Sequence, residues 1–202
     1  WLLLAVPLFV FMGLMLEKSK IAKNLLLSLE RLFAQRPGGL ALSVTIVGVV
    51  MAASTGIIGA SVVMLGLMAL PVMLKQQYSM RLAAGTICSA GTLGILIPPS
   101  IMLVLVGDIL QISIGDLFMG AVVPGLILGA LYALYILVIC HFKPSLAPPG
   151  ELQEKVSTLE AIGVLCKHLF APVILILGVL GSIVAGVATP TEAAAIGAAG
   201  AT

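Results

Sequence analysis

The stretch Gly91-Thr92-Leu93-Gly94-Ile95-Leu96-Ile97-Pro98-Pro99-Ser100 holds the residues best able to do chemistry in this chain. It lies inside a charge-free run from Leu82 to Gly107 that otherwise reads as a membrane-spanning helix. Pro98 and Pro99 bring no backbone N–H, and each disfavours helix in the residue before it. The helix therefore breaks near its middle. Hydrocarbon cannot satisfy the carbonyls and amides freed there, so the break must face protein or a wet cavity. A single proline would imply no more than a kink. A Gly-Thr-x-Gly approach followed by Pro-Pro-Ser points to a functional interruption.

A second irregular segment, Ser54-Thr55-Gly56-Ile57-Ile58-Gly59, interrupts the long uncharged run that follows Pro37-Gly38-Gly39. A helix C-terminus carries partial negative charge and suits a cation, and an N-terminus suits an anion. If the two segments meet, the carbonyls of Thr55, Ile58, Gly94 and Ile97 can cage a hard cation, joined by the hydroxyls of Ser54, Thr55 and Thr92. Sodium suits such neutral oxygen ligands. A proton-coupled site would want a buried carboxylate or histidine, and residues 37–107 contain none. The opposing helix starts, near Ala60-Ser61 and at Ser100, aim N–H groups at the same place and could hold a carboxylate. Ser54, Ser61, Thr92 and Ser100 are thus the candidate substrate contacts. The hydroxyls of Ser43, Thr45, Ser79, Thr86 and Ser89 are read as ordinary helix packing.

Membrane-enzyme chemistry is excluded on residue types. There is no His-Glu-x-x-His, and His141 and His168 lie outside the apolar spans. Ser61 has no intramembrane histidine to activate it. Cys88, Cys140 and Cys166 have no metal-site spacing and read as plain thiols.

The elements that must position these residues follow from composition. Of 202 residues, 61% are hydrophobic and 9% charged, with mean hydropathy +1.26, which marks an integral membrane protein. Aliphatics dominate aromatics, which suits helices and not a barrel. The 22 glycines and 11 prolines imply close helix packing with deliberate breaks. Trp1 to Leu16 reads as the tail of a span. From Glu17 to Arg36, Ile21, Leu25, Leu29, Leu32 and Phe33 fall on one helical face among five basic residues, the pattern of an amphipathic helix at the cytoplasmic interface.

Between Gly39 and Lys75 the arms Leu40–Ala53 and Ala60–Leu74 would each reach ~21–23 Å, against a hydrocarbon core of ~30 Å. A re-entrant hairpin with its tip at Thr55–Gly59 fits better than two spans or one long tilted span. It also places Lys75 and Arg81 on the same side as His141 and Lys143, with Asp108 and Asp116 opposite. The broken helix (80–107) and a span (117–140) complete a first repeat over residues 1–140. Residues 141–202 supply a proline-rich connection and a second amphipathic stretch around Leu152, Val156, Leu159 and Leu165. A span over Leu169–Ala188 follows, then a helix opened by Glu192 and capped by Thr189 or Thr191. The recurring interfacial helix is what one half of an inverted-repeat transporter would show. The chain starts inside an apolar run and stops at a helix start, so a piece lacking both ends is expected.

Leu96-Ile97-Pro98-Pro99-Ser100 with Gly91-Thr92-Leu93-Gly94, the Pro37-Gly38-Gly39 entry, Ser113-Ile-Gly-Asp-Leu-Phe118, Val123-Pro-Gly-Leu126 and Thr189-Pro-Thr-Glu-Ala-Ala-Ala195 together resemble the large membrane subunit of tripartite ATP-independent periplasmic (TRAP) transporters. The tip and Val106-Gly107-Asp108 look most like the branch labelled mannitol/chloroaromatic. The resemblance implies an all-α, elevator-type, sodium-driven importer of small organic acids in the bacterial inner membrane. It would work with a small membrane subunit and a periplasmic substrate-binding protein. The family's first-hairpin sodium site would map onto Thr55, Gly56 and Ile58 and onto Gly94, Ile97 and Pro99, largely through carbonyls. Ile57 and Ile58 stand where many members carry hydroxyl residues, which leaves backbone coordination but not side-chain ligation at the tip. On the residues alone, a channel with a re-entrant filter and a non-transporting scaffold subunit are the rival readings.

Overall fold

The computed structural model describes residues 4–19, 21–33, 35–150 and 158–202. Among them every regular element is helical. Helix α1 (Ala5–Lys18) leads into α2 (Ile21–Phe33). α3 (Gly39–Thr55) and α4 (Ile58–Lys75) form a hairpin joined only by Gly56 and Ile57. α5 (Met80–Thr92) runs into a 3-10 turn, Leu93–Ile95, and α6 (Ile101–Leu110) resumes after the prolines. α7 (Ile114–Phe142), α8 (Thr158–Val184) and α9 (Pro190–Gly200) follow. Among the described residues α4 and α7 are long and apolar enough to cross a membrane.

α3 and α4, at 17 and 18 residues, span about 26 and 27 Å, a little longer than the arms read from sequence. The gain comes at the tip, where α3 continues through Ser54 and Thr55 before Gly56 turns the chain. The second amphipathic stretch is less separate than the sequence suggests. Residues 151–157, with Leu152 and Val156, lie outside the described residues, but from Thr158 the chain is one helix through His168 to Val184. Its only breaker, Pro172, sits within that helix without ending it. Of the two candidate caps for α9, Thr189 is the one used. Its hydroxyl accepts from Glu192 N–H, and the Glu192 carboxylate accepts from Thr189 N–H at 2.8 Å, closing a capping box with Pro190 in the first turn. The Thr189 N–H and then its hydroxyl, which donates to the same carboxylate oxygen at 2.9 Å, hold the Glu192 carboxyl below its usual range.

Two apolar cores form. The first joins the inner face of α2 (Leu25, Leu26, Leu29) to α3, α4, α5 and the end of α7 at Ile136 and Cys140. The second joins α1, α6, the start of α7, α8 and α9 around Phe9, Met12, Val104 and Phe118. The apolar face of α2 is thus covered by protein, chiefly α3 and α8. Close helix approach follows from small residues: a Cβ on Gly48 would sit 2.6 Å from that of Ala90, and one on Gly91 would sit 3.0 Å from the backbone N of Val62. These contacts lock α5 between the two arms of the hairpin.

Both ends of the hairpin come together. Leu40 N–H, an orphan donor in the first turn of α3, reaches the Tyr78 hydroxyl at 3.2 Å. Gly38 N–H donates to Ala147 O at 3.1 Å, and Ser79 N–H to Leu146 O at 2.9 Å. Gln76 Nε2 donates to Glu30 Oε1 at 2.6 Å. The connection after α7 therefore stitches the two roots to one another. Burial of Tyr78 pushes its phenol up to about 12, with the Leu40 hydrogen bond opposing.

Candidate functional site

The hairpin tip rests against the broken helix. Gly56 has φ +59, and a Cβ there would lie 3.1 Å from Ile101 N and 3.4 Å from Pro99 O. Only glycine combines that left-handed backbone with so close an approach. Four helix ends consequently share one point. α3 and the α5–3-10 segment arrive with their C-termini, while α4 and α6 depart with their N-termini.

On the arriving side, Leu93 O takes both the Leu96 and Ile97 N–H groups, at 3.0 and 2.9 Å. From Gly94 to Pro99 no carbonyl accepts a backbone N–H among the described residues. Pro98 and Pro99 account for much of this, since neither carries a donor. Gly94, Ile97, Pro98 and Pro99 are all buried. The turn is walled by Val49, Leu128, Tyr132 and Ile176 around Leu93 and Ile97, and by Gly125, whose missing side chain leaves room for Leu96 and Ile97.

On the departing side, Ile57 and Ser100 have extended backbone before α4 and α6, and neither side chain caps its helix. The N–H groups of Ile58, Gly59 and Ala60, and of Ile101, Met102 and Leu103, have no backbone partner among the described residues. Ser100 is fully buried, and its Oγ is the one buried side-chain polar atom without a hydrogen bond among the described residues. Such a group costs about 1–3 kcal/mol, so its persistence here needs an explanation in function.

The other residues chosen from sequence fall as follows. Gly56, Ile58, Gly94, Ile97, Pro99 and Ser100 line the junction or its immediate walls. Ser61 is buried one turn into α4, and its Oγ donates to Ile57 O at 3.0 Å. Thr92 is exposed, and its hydroxyl donates back to Ser89 O at 2.8 Å. The backbone of Ser54 and Thr55 ends α3 at the junction, while their side chains lie outside what is described. The hydroxyls read as packing behave so: Ser43 and Thr45 bond the carbonyls of Gly39 and Ala41 on their own helix, and Ser79 caps α5 through Leu82 N–H. Sequence reasoning missed the Ile101 amide, the Val62–Gly91 contact and the Tyr78 tie. Gly48 and Gly91 were the available signals for the close packing. Nothing local marks a tyrosine as the partner of an amide 38 residues away.

A broken helix meeting a hairpin tip inside a two-core helical protein is decided by comparison. Residues 1–202 match the family described as "Tripartite ATP-independent periplasmic transporter, DctM component". The chain belongs to this family. Similar curated proteins include the C4-dicarboxylate TRAP transporter large permease protein DctM of Pseudomonas aeruginosa, 35% identical over 97% of this chain and 44% of that protein. The Vibrio cholerae protein of the same description is 36% identical over 97% and 42%. The Escherichia coli 2,3-diketo-L-gulonate TRAP transporter large permease protein YiaN is 30% identical over 97% and 45%. This chain therefore spans somewhat less than half the length of those relatives. They are transporter permease subunits and not enzymes, and membership makes this chain part of an integral membrane protein of all-α build.

Proposed function

We propose that this chain is part of the large permease of a TRAP transporter that takes up a small organic acid across the bacterial inner membrane, driven by sodium. It would act with a small membrane subunit and a periplasmic substrate-binding protein. The observation that carries the reading is the packing of Gly56 against Pro99 and Ile101, because it sets unpaired carbonyls and unpaired amides at one buried place. In this reading α3 and α4 re-enter from the side on which their roots are stitched, and the junction lies within the bilayer. Carbonyls of Thr55, Gly56, Ile58, Gly94, Ile97 and Pro99 are the candidates for sodium, which accepts neutral oxygen ligands at helix C-termini. The N-termini of α4 and α6, with Ser54, Ser61 and the free Ser100 hydroxyl, are the candidates for the acid group, and Thr92, whose hydroxyl is turned to Ser89 O, drops out of the set. Cation and anion side by side would each offset the other's desolvation. The named substrates of two relatives, a C4-dicarboxylate and diketogulonate, both bear an acid group. Movement of this site as a rigid elevator past a fixed frame is part of the same proposal.

The test is uptake by the complete transporter in proteoliposomes. Saturable uptake of an organic acid that collapses when the sodium gradient is dissipated is expected. Uptake indifferent to sodium would remove the cage. Flux that never saturates would replace the carrier with a pore.

A further inference from the structure

The stitching that joins the hairpin roots also gathers charge. Arg36 O accepts Gly39 N–H, Gly38 and Ser79 bond the 146–147 turn, and Gln76 bonds Glu30. Residues 30–39, 75–81 and 143–147 therefore share one end of the molecule. That end carries Arg31, Arg36, Lys75, Arg81 and Lys143, all exposed and none in an ion pair among the described residues. Among residues 30–39, 75–81 and 143–147 the one acid is Glu30, which already accepts from Gln76. Asp116 sits about 40 Å away, near the opposite end of α7.

Five of the rim's six cations, Lys23, Arg31, Lys75, Arg81 and Lys143, have an exposed apolar neighbour, and Arg36 has none among the described residues. On α2 the outward stripe is Lys23, Leu27 and Arg31, four residues apart, with Leu27 41% exposed between two cations. Leu74 precedes Lys75, Met80 precedes Arg81 and Phe142, 78% exposed, precedes Lys143. A purely aqueous basic face would not alternate in this way. A face for an acidic protein would not set large apolar side chains beside five of its six cations. The pattern matches the boundary between acyl chains and headgroups, where Lys and Arg stems lie in hydrocarbon and their charges reach phosphate.

We propose that this end is a docking rim for anionic phospholipid headgroups, centred on the Lys23–Leu27–Arg31 stripe of α2 and continued by Arg36, Lys75, Arg81 and Lys143. It holds the hairpin roots against one leaflet. The rim does not depend on what the junction binds.

The test measures the relative association of spin-labelled phosphatidylglycerol and phosphatidylcholine with the intact reconstituted protein. Phosphatidylglycerol is expected to be favoured and the preference to fade in about 0.5 M salt. The double change Lys23→Gln with Arg31→Gln is expected to lower it about fivefold per cation. The charge-keeping pair Lys23→Arg with Arg31→Lys is expected to retain it, which separates charge from folding. Equal association of the two lipids, or an unchanged preference in the glutamine variant, overturns the proposal. So does loss of the preference in the charge-keeping pair. Displacement of the lipid by inorganic phosphate would make this an ion site instead. Salt-sensitive capture of polyglutamate without lipid preference would make it a face for acidic protein.

Discussion

Gly56→Ala is the sharpest perturbation of the junction. An alanine at φ +59 carries the left-handed penalty, about 1–2 kcal/mol. Its Cβ would also press on Ile101 N at 3.1 Å and Ile101 Cγ1 at 3.3 Å, and relief by a few tenths of an ångström costs about 1 kcal/mol more. The total is about 2–3 kcal/mol. If most of it falls on the arrangement that brings the tip to the break, sodium affinity drops at least thirtyfold or so. Gly59→Ala is the matched control three residues on. A Cβ there meets nothing within 4 Å, and in helix α4 alanine gains about 0.5–1 kcal/mol over glycine.

The assay is the sodium dependence of uptake by the reconstituted transporter, with thermal unfolding of each variant in parallel. Gly56→Ala should need far more sodium and melt lower. Gly59→Ala should keep the parental sodium dependence and melt level with the parent or slightly higher. A Gly56→Ala protein with parental sodium dependence would refute the claim that tip and break act as one site. Equal damage from the two alanines would show that the hairpin is merely intolerant of change.

Ser100→Ala should divide stability from function: removing an unpaired buried hydroxyl should raise the melting temperature or leave it level, while substrate affinity falls about tenfold, read by substrate-concentration curves. Gly91→Val should force α5 off Val62, whose backbone N lies 3.0 Å from the added Cβ, and lower stability by at least about 3 kcal/mol in thermal melts. Tyr78→Phe should cost about 1 kcal/mol by orphaning Leu40 N–H. The same residue gives a pH signature. With its phenol raised from 10.0 to about 12, the unfolded chain loses that proton first, so the Tyr78 contribution to stability is whole below pH 10 and declines as pH rises toward 12. The decline between pH 10 and 12 should be smaller in Tyr78→Phe than in the parent, in melts across the window, and an equal decline in both would assign it to another group.

The elements were legible where the sequence carries its own punctuation. Pro98-Pro99 ends one helix and Ser100 starts the next because proline lacks a donor, whatever surrounds it. Thr189 and Glu192 announce their capping box at the right spacing. Boundaries failed where punctuation is soft: the amphipathic stretch ending at His168 and the span from Leu169 are one helix from Thr158, because polarity changes there without a stop signal and apolar packing continues on both sides. The junction was legible in its residue types and not in its detail. Unpaired carbonyls before two prolines follow from covalent structure. The approach of Gly56 to Ile101 depends on Gly48 and Gly91 letting α5 between the arms, a tertiary event spread over four helices. The outward turn of Thr92 was also invisible, since a threonine on a helix can equally bond its own carbonyl or a ligand.

The lone state of Ser100 bears on why the break survives in a well-packed protein. Ser43, Thr45 and Ser61 show the easy solution open to a buried hydroxyl here, a bond to a carbonyl four residues back. Ser100 is denied it by its own position, because its backbone is extended and the four residues before it belong to no helix. It is also denied the usual N-cap bond, since its side chain does not fold over the first turn of α6. An apolar residue would fill the same space at lower cost. On the proposed site, the hydroxyl, the unpaired amides of α4 and α6 and the unpaired carbonyls before Ser100 are the groups that the ion and the acid group would complete. Removing the hydroxyl should therefore stabilise the empty protein and weaken the occupied one, a pair of opposite signs that a packing role for Ser100 does not produce.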